Sequence, residues 1–313
     1  MRVFVAGAAG AIGRSLVPML VHGGHEVTGT TRKPERAEWL RAQGAAAVTV
    51  DVYDAEGVHA AVADAEPEVV IHQLTDIPAD LDPRKYEEQM AGNDRIRREA
   101  TPILVEAARQ AGARRMIAQS VAFAYDLSGE GLRTEDDPLF ADPPGPFRRT
   151  VDALRTMEEA VLGADGLEGV VLRYGYFYGP GTSYASDGGI AARVRKRGYP
   201  ILGDGGGVFS FIHVDDAAGA TVAALDHGAP GIYNVVDDDP APIREWLPAF
   251  AEALGAKKPL RVPAFVGKVA AGDFITTMAT KGKGASNAKA KRELGWTPAH
   301  PSWRQGFREV LSA

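Results

Sequence analysis

Short apolar stretches recur along the first half of the chain, at residues 3–6, 26–30, 47–50, 69–72, 115–120 and 170–173, with longer mixed stretches between them. Brief, nearly continuous apolar runs predict strands covered on both faces. The intervening segments at 14–22, 34–43, 55–65, 83–111 and 150–162 carry helical spacing and close near a glycine or a polar turn, so they predict crossover helices. This alternation implies an α/β fold, a Rossmann-type doubly wound parallel sheet with right-handed connections. The Pro- and Gly-rich stretch 136–146 reads as a surface loop, because the pattern resumes after it.

Beyond Gly175 the rhythm breaks, and Gly179-Pro180-Gly181, Gly188-Gly189 and Gly203-Asp204-Gly205-Gly206-Gly207 separate short elements. The expected organisation is therefore a dinucleotide-binding domain at 1–174 and a smaller C-terminal substrate-capping domain at 175–313, with part of 213–236 returning to the first. Near 263–278, the spacing of Phe265, Val266, Val269, Phe274, Ile275 and Met278 predicts an amphipathic helix that either roofs an apolar pocket or packs into the core.

Between the first strand and the first helix stands Gly7-Ala8-Ala9-Gly10-Ala11-Ile12-Gly13. The first two glycines allow a tight turn that approaches a pyrophosphate, and Gly13 allows close helix packing. A helix start beyond them offers free N–H groups and a positive dipole end. Strand, glycines and helix in this order predict a dinucleotide site that includes Gly7, Gly10, Ala11, Ile12, Gly13 and Arg14.

The second strand ends Thr30-Thr31-Arg32-Lys33, with no carboxylate to accept bonds from a ribose 2′-hydroxyl. Arg32 offers a planar fork suited to a 2′-phosphate, and Arg14 could reach the same side. NADP is thus expected, with NAD as the alternative. Asp51 and Val52 follow the third strand, where the adenine would lie; Gln73, Leu74 and Thr75 follow the fourth and would pass beside ribose and phosphates.

With 45% hydrophobic and 24% charged residues in 313, the chain has the balance of a globular protein. The net charge of −6 argues against a nucleic-acid surface. Arginine clusters at 95–98, 148–149 and 193–197 read as solvated faces, the last also as a possible anion site. No apolar run approaches the roughly 20 residues that span a bilayer, and a strand beginning at residue 2 leaves no room for a signal peptide, so a cytoplasmic location and no membrane partner are expected. Zero cysteines exclude thiolate chemistry and disulfides. His213-Val214-Asp215-Asp216 contains metal-ligand residue types, but without HxxxH spacing no metal is expected. No GxSxG occurs, which removes the main hydrolase reading.

Together with the three glycines, Asp51-Val52-Tyr53-Asp54, Leu172-Arg173-Tyr174-Gly175-Tyr176-Phe177-Tyr178-Gly179-Pro180-Gly181, Phe211-Ile212-His213-Val214-Asp215-Asp216 and Leu294-Gly295-Trp296-Thr297-Pro298 resemble the extended short-chain dehydrogenase/reductase family, which includes the NAD-dependent epimerases and dehydratases. The similarity covers nearly the whole chain. It implies hydride transfer between nicotinamide and a carbon bearing oxygen in a small-molecule substrate, with Tyr174 and Tyr178 near the cofactor, His213 to Asp216 as support at a helix start, and a homodimer formed through helices near 83–111 and 150–162.

Such proteins use a Ser or Thr and a Tyr-x-x-x-Lys pair, usually completed by an asparagine. Here no tyrosine lies between Tyr125 and Tyr174, and none of the nine tyrosines has lysine four residues later. The helix that should begin with the pair reads Pro146-Phe147-Arg148-Arg149-Thr150 instead. Arg97 stands in the asparagine's place, with Asn93 one turn earlier. A positioned acid or base contributes about 10²- to 10⁴-fold, so its loss handicaps catalysis without forbidding it. Ser120 is the first candidate for the catalytic group and Tyr125 the second, ahead of Tyr176, Tyr178 and Arg149. The resulting expectation is an NAD(P)-dependent oxidoreductase with a non-standard proton relay. Alternatives are a catalytically silent NADP-binding sensor and an isomerase or lyase on the same fold.

Overall fold

A computed structural model describes residues 1–78 and 81–311. The first half alternates strand and helix: β1 (Arg2–Ala6), α1 (Ala11–His22), β2 (Glu26–Thr31), α2 (Pro34–Ala42), β3 (Ala46–Thr49), α3 (Ala55–Ala65) and β4 (Val69–His72). A short 3-10 turn (Pro83–Lys85) leads into α4 (Tyr86–Arg95), a π-helical turn (Ile96–Ala100) and α5 (Thr101–Gln110), followed by β5 (Arg115–Val121), α6 (Phe147–Leu162) and β6 (Glu168–Tyr174). The single helix expected at 83–111 is thus broken into segments. Local apolar spacing does not reveal the extra backbone residue that a π turn accommodates.

The remaining elements are β7 (Tyr176–Tyr178), α7 (Gly189–Arg195), β8 (Ile201–Leu202), β9 (Val208–Phe209), β10 (Phe211–His213), α8 (Val214–Ala223), β11 (Gly231–Val235), β12 (Ala241–Pro242), α9 (Ile243–Ala253), β13 (Arg261–Val262), α10 (Ala264–Lys281), α11 (Ala288–Glu293) and α12 (Trp303–Leu311). Seven strands form one parallel sheet in the order β11-β6-β5-β4-β1-β2-β3. Right-handed crossovers on either side of β1 produce this doubly wound order, and they open a crevice beyond the carboxyl ends of β1 and β4, where the winding reverses.

The helices cover both faces. Leu16, Val17 and Leu20 of α1 and Ala217, Ala218 and Ala220 of α8 pack on one face with Val3, Val5, Ile71 and Ile117. On the other, Val58, Val62, Leu104, Ala108 and Val161 pack on Phe4, Val70, Met116 and Ala118. Alternate strand residues therefore supply alternate faces. An aromatic cluster of Tyr178, Phe209, Phe211, Trp246, Phe250, Trp303 and Phe307 forms a separate core among the C-terminal elements. No helix among the described residues is long and apolar enough to cross a membrane.

Residues 264–281 differ from the continuous amphipathic helix expected there. Gly272 takes φ +89° and ψ 167°, which breaks α10 into two segments. Phe274 in the second segment stacks on Phe147 at 3.9 Å, but in the first Phe265 and Val269 are 72% and 89% exposed, so that segment neither roofs a pocket nor joins the core.

Candidate functional site

After β1 the chain turns at Gly7, whose φ of +85° lies where side chains with a Cβ are strained. A Cβ there would stand 2.6 Å from the Gln73 carbonyl oxygen, so the turn presses directly on the segment that follows β4. Thr30 Oγ1 accepts a hydrogen bond from the Gly7 amide at 3.3 Å and ties the end of β2 to the same turn. A Cβ on Gly13 would meet the Ala8 carbonyl oxygen at 2.2 Å, which fixes α1 against the turn. Gly10 precedes α1 and no side chain caps that helix, leaving the first-turn amides available to an anion.

The crevice formed in this way is lined by Gly7, Ala9 and Gly10, by Thr30, Thr31, Arg32 and Arg36, by Val52 and Tyr53, and by Gln73, Leu74 and Thr75. Arg32 and Arg36 bring two guanidinium groups to the β2 end. Arg36 lies in the first turn of α2, a position that the residue pattern did not single out. Tyr53 adds an aromatic wall braced by Arg95, whose guanidinium lies 3.9 Å from the ring centre.

The remaining expected cofactor residues lie back from the lining. Ile12 is buried in the core beneath the turn, Ala11 is half-buried at the start of α1, and Arg14 is exposed one turn further along. The exposed Asp51 accepts a hydrogen bond from the Tyr53 amide through Oδ1 and shapes the turn instead. Tyr174 is fully buried, its hydroxyl 2.7 Å from Thr221 Oγ1 and accepting from Gln73 Nε2 at 3.3 Å, so it orients a lining residue from behind. Tyr178 packs between Phe211, His213 and Phe307 in the C-terminal aromatic core, away from the crevice. Its motif lies just past the sheet edge, but the strand runs on into that core.

Ser120 also occupies a different environment from the one expected. Its side chain is wholly buried, and Oγ donates to Glu158 Oε1 at 2.6 Å. Glu158 in turn accepts two bonds from Arg173, at 2.9 and 2.5 Å. The Arg173 guanidinium lies 4.7 Å from the centre of the Tyr125 ring, and the Tyr125 hydroxyl donates to Asn234 Oδ1 at 2.7 Å. Burial raises the Tyr125 hydroxyl to about 12. Both catalytic candidates thus belong to one buried network that links β5, α6, β6 and β11, and neither hydroxyl opens on the crevice.

A different polar group lies beside the loop that follows β4. Asn93 accepts a hydrogen bond from the Asp76 amide at 3.2 Å, which ties that loop to α4. Next to it, Asp94 Oδ2 accepts from Thr150 Oγ1 at 3.1 Å, and Thr150 accepts from the Tyr86 hydroxyl at 3.3 Å. Arg97 NH1 stands 3.6 Å from Asp94 Oδ1, short of a hydrogen bond. Asn93 Nδ2, Asp94 Oδ1, Arg97 NH1 and Gln73 Oε1 have no hydrogen-bond partner among the described residues. Each such buried atom costs about 1–3 kcal/mol unless something satisfies it. Three of these atoms, on Asn93, Asp94 and Arg97, lie together on α4 and the π turn. Asn93 and Arg97 were visible as family positions; Tyr86 and Asp94 were not, because their partner Thr150 lies far along the chain.

His72, at the end of β4, supports this region. Its Nδ1 accepts from the Leu74 amide at 3.2 Å and its Nε2–H reaches Thr101 Oγ1 at 2.9 Å, an assignment fixed by the amide donor. Burial, with help from Arg97, lowers its pKa to about 4. His213 caps α8 by accepting from the Asp215 amide and stacks on His300, while Asp216 accepts from the amides of Ala299 and His300. These residues join the C-terminal segment to α8, and no group of three metal-ligating side chains occurs among the described residues. In the basic run, Arg193 donates to the Leu81 carbonyl.

A family model described as the NAD dependent epimerase/dehydratase family matches residues 3–235. A 3-diazoavenalumate denitrifying reductase from Streptomyces is 47% identical over 308 residues, covering 98% of this chain and 99% of that protein. The UDP-glucose 4-epimerase of Thermus thermophilus, solved with NAD, superposes with a TM-score of 0.76 at 28% identity, covering 100% of this chain and 98% of the other. A human epimerase family protein solved with NADPH shares the fold, with a TM-score of 0.75 at 22% identity over 100% and 98% of the two chains. The crevice geometry and these similarities converge: the chain belongs to the NAD dependent epimerase/dehydratase family and is an enzyme of the oxidoreductase or epimerase type.

Proposed function

We propose that this chain is an NADP-dependent reductase that acts on a small organic carboxylate bearing an electrophilic group. The observation that carries this reading is the crevice itself, where an uncapped helix start faces a glycine turn and two arginines close the β2 end. Amides of the turn and of α1 suit a pyrophosphate, and the close approach of Gly7 to Gln73 leaves no space for a side chain. Arg32 and Arg36 bring two guanidinium groups to the β2 end and, although Asp76 stands 3.7 Å from Arg32, suit a 2′-phosphate better than a 2′-hydroxyl. When bound, the reduced nicotinamide supplies the hydride.

The relative at 47% identity is named for reducing a diazo carboxylate, and a reductase of Stenotrophomonas maltophilia, 27% identical over 82% of this chain, is named for a 2-alkyl-3-oxoalkanoate. Both named substrates are carboxylates with an electrophilic group. The diazo class is favoured by the higher identity and by the missing tyrosine–lysine pair, since hydride addition to a diazonium nitrogen neutralises a cation and leaves no alkoxide to protonate. The C-terminal elements beyond β7 would enclose such a compound above the sheet edge.

Calorimetry with NADPH and NADH, followed by NADPH oxidation with a carboxylated arenediazonium, a 3-oxo acid and simple aldehydes, tests the reading. Tighter binding of NADPH and turnover of the diazonium are expected. No binding of either nucleotide, or binding without oxidation across the set, overturns it.

A further inference from the structure

Three buried polar atoms without a hydrogen-bond partner among the described residues, Asn93 Nδ2, Asp94 Oδ1 and Arg97 NH1, lie on α4 and the π turn, and the network around Ser120 does not use them. Asp94 is 4% exposed, and its two oxygens differ. Oδ2 accepts the Thr150 hydroxyl, whereas Oδ1 accepts no hydrogen bond and faces the Arg97 guanidinium at 3.6 Å. A π turn interrupts the helix run immediately after Asp94 and Arg95, and such interruptions are frequent at functional sites. Thr150 falls in the stretch of α6 that lacks the tyrosine–lysine pair. Behind it, Tyr86 donates to Thr150, so a continuous hydroxyl chain runs from Tyr86 through Thr150 to Asp94.

We propose that Asp94, held in place by the Thr150 and Tyr86 hydroxyls, exchanges the proton with the substrate in place of the missing tyrosine–lysine pair and regains it from solvent on the crevice side between turnovers. With Oδ2 occupied as an acceptor, the acid proton resides on Oδ1. In the reduction of an oxo group, that O–H bond breaks as an O–H bond forms on the substrate oxygen, and the carboxylate keeps the electron pair. The hydride comes from reduced nicotinamide to the adjacent carbon, so the substrate gains two hydrogens and the nicotinamide is oxidised. With a diazonium, the hydride gives a diazene; Asp94 as carboxylate removes its N–H proton, N₂ departs, and the same proton returns to the aryl carbon.

The charges around Asp94 set its acidity. Burial raises it most, Arg97 from the π turn opposes this, and the Thr150 hydrogen bond, Arg98 and Arg149 oppose it further. The resulting balance holds the carboxyl above its usual range. Phe274 from α10 packs on Tyr86 at 5.5 Å and on Phe147, shielding this end of the hydroxyl chain from solvent.

The role of Asp94 rests on the reductase reading, so its test separates the two. Asp94→Asn, Thr150→Val and Thr150→Ser are compared with the parent protein by NADPH fluorescence titration, by NADPH oxidation with the 3-oxo acid and the carboxylated arenediazonium, and by infrared spectroscopy of the carboxyl region. Asp94→Asn should bind NADPH as the parent does yet lose about a hundredfold in kcat. With the oxo acid, the parent rate should fall as pH rises through the Asp94 titration, a limb that Asp94→Asn lacks. Thr150→Val should slow turnover and Thr150→Ser restore it. Parental kcat in Asp94→Asn overturns that role. If the parent protein oxidises no NADPH with any compound, the reductase reading falls alone, and the infrared result decides on Asp94. A protonated-carboxyl band that titrates above the usual carboxylate range, missing in Asp94→Asn and displaced by NADP⁺, upholds it as a proton-holding group; its absence in the parent overturns that too.

Discussion

Arg32, at the start of the loop after β2, and Asp76, in the loop after β4, meet guanidinium to carboxylate at 3.7 Å, joining the two segments that border the crevice. Both side chains are more than half exposed, so the pair itself contributes little to stability. Its importance lies in competition, because a 2′-phosphate would offer Arg32 a more highly charged partner. Arg32→Ala should weaken NADPH by about 10- to 100-fold, the loss of one charge-assisted contact. NADH affinity should change little. Calorimetry with both nucleotides measures the difference, and equal losses for the two would remove Arg32 from 2′-phosphate recognition.

Gly13→Ala places a methyl group 2.2 Å from the Ala8 carbonyl, against backbone that cannot rotate away. Such overpacking costs about 1–3 kcal/mol and displaces α1 from the turn. A lower thermal midpoint together with weaker nucleotide binding is expected. Full retention of both would show that the turn tolerates a wider helix separation.

Ser120→Ala separates a structural hydroxyl from a catalytic one. Glu158 keeps both of its Arg173 bonds in this variant, so a loss of about 1 kcal/mol in unfolding free energy and parental kcat are expected. Arg173→Met, by contrast, strands the buried Glu158 carboxylate and should cost about 3–5 kcal/mol. Denaturant melts and NADPH oxidation report the two quantities separately. A hundredfold fall in kcat for Ser120→Ala would return that residue to the reaction.

His72 predicts a specific acid sensitivity. Its folded pKa of about 4 lies below the ordinary value of 6.5, so the folded state favours the neutral ring. The stability this contributes is fully present above 6.5 and is lost as pH falls from there through about 4. Protonation of Nδ1 would also break its bond to the Leu74 amide in the crevice wall. Urea melts across that window should show a slope that His72→Gln diminishes; identical slopes would place the acid sensitivity elsewhere.

Much of this architecture was legible in the residue order. Apolar runs located the first six strands to within a residue or two, and the glycine turn, Arg32, Val52 and Gln73 to Thr75 did come together around the crevice. Those features are local, since turn geometry and strand order determine them. The surroundings of Ser120 and Tyr178 were not legible, because a residue's place in a strand does not say which neighbours will enclose its side chain. Asp94 and Tyr86 were invisible for a related reason. Their meaning depends on Thr150, more than fifty positions away, and no periodicity connects residues that meet only in the folded chain.

The outermost strand beside β6 comes from residues 231–235, and α8, which precedes it, packs against α1. A ribosome must therefore translate well past the nucleotide-binding half before that half can finish its own sheet. Until then β6 presents an open row of amides and carbonyls, the kind of edge that recruits stray strands. Synthesis of this protein thus passes through a vulnerable interval, and a cut near residue 174 would make that interval permanent rather than release two self-sufficient halves.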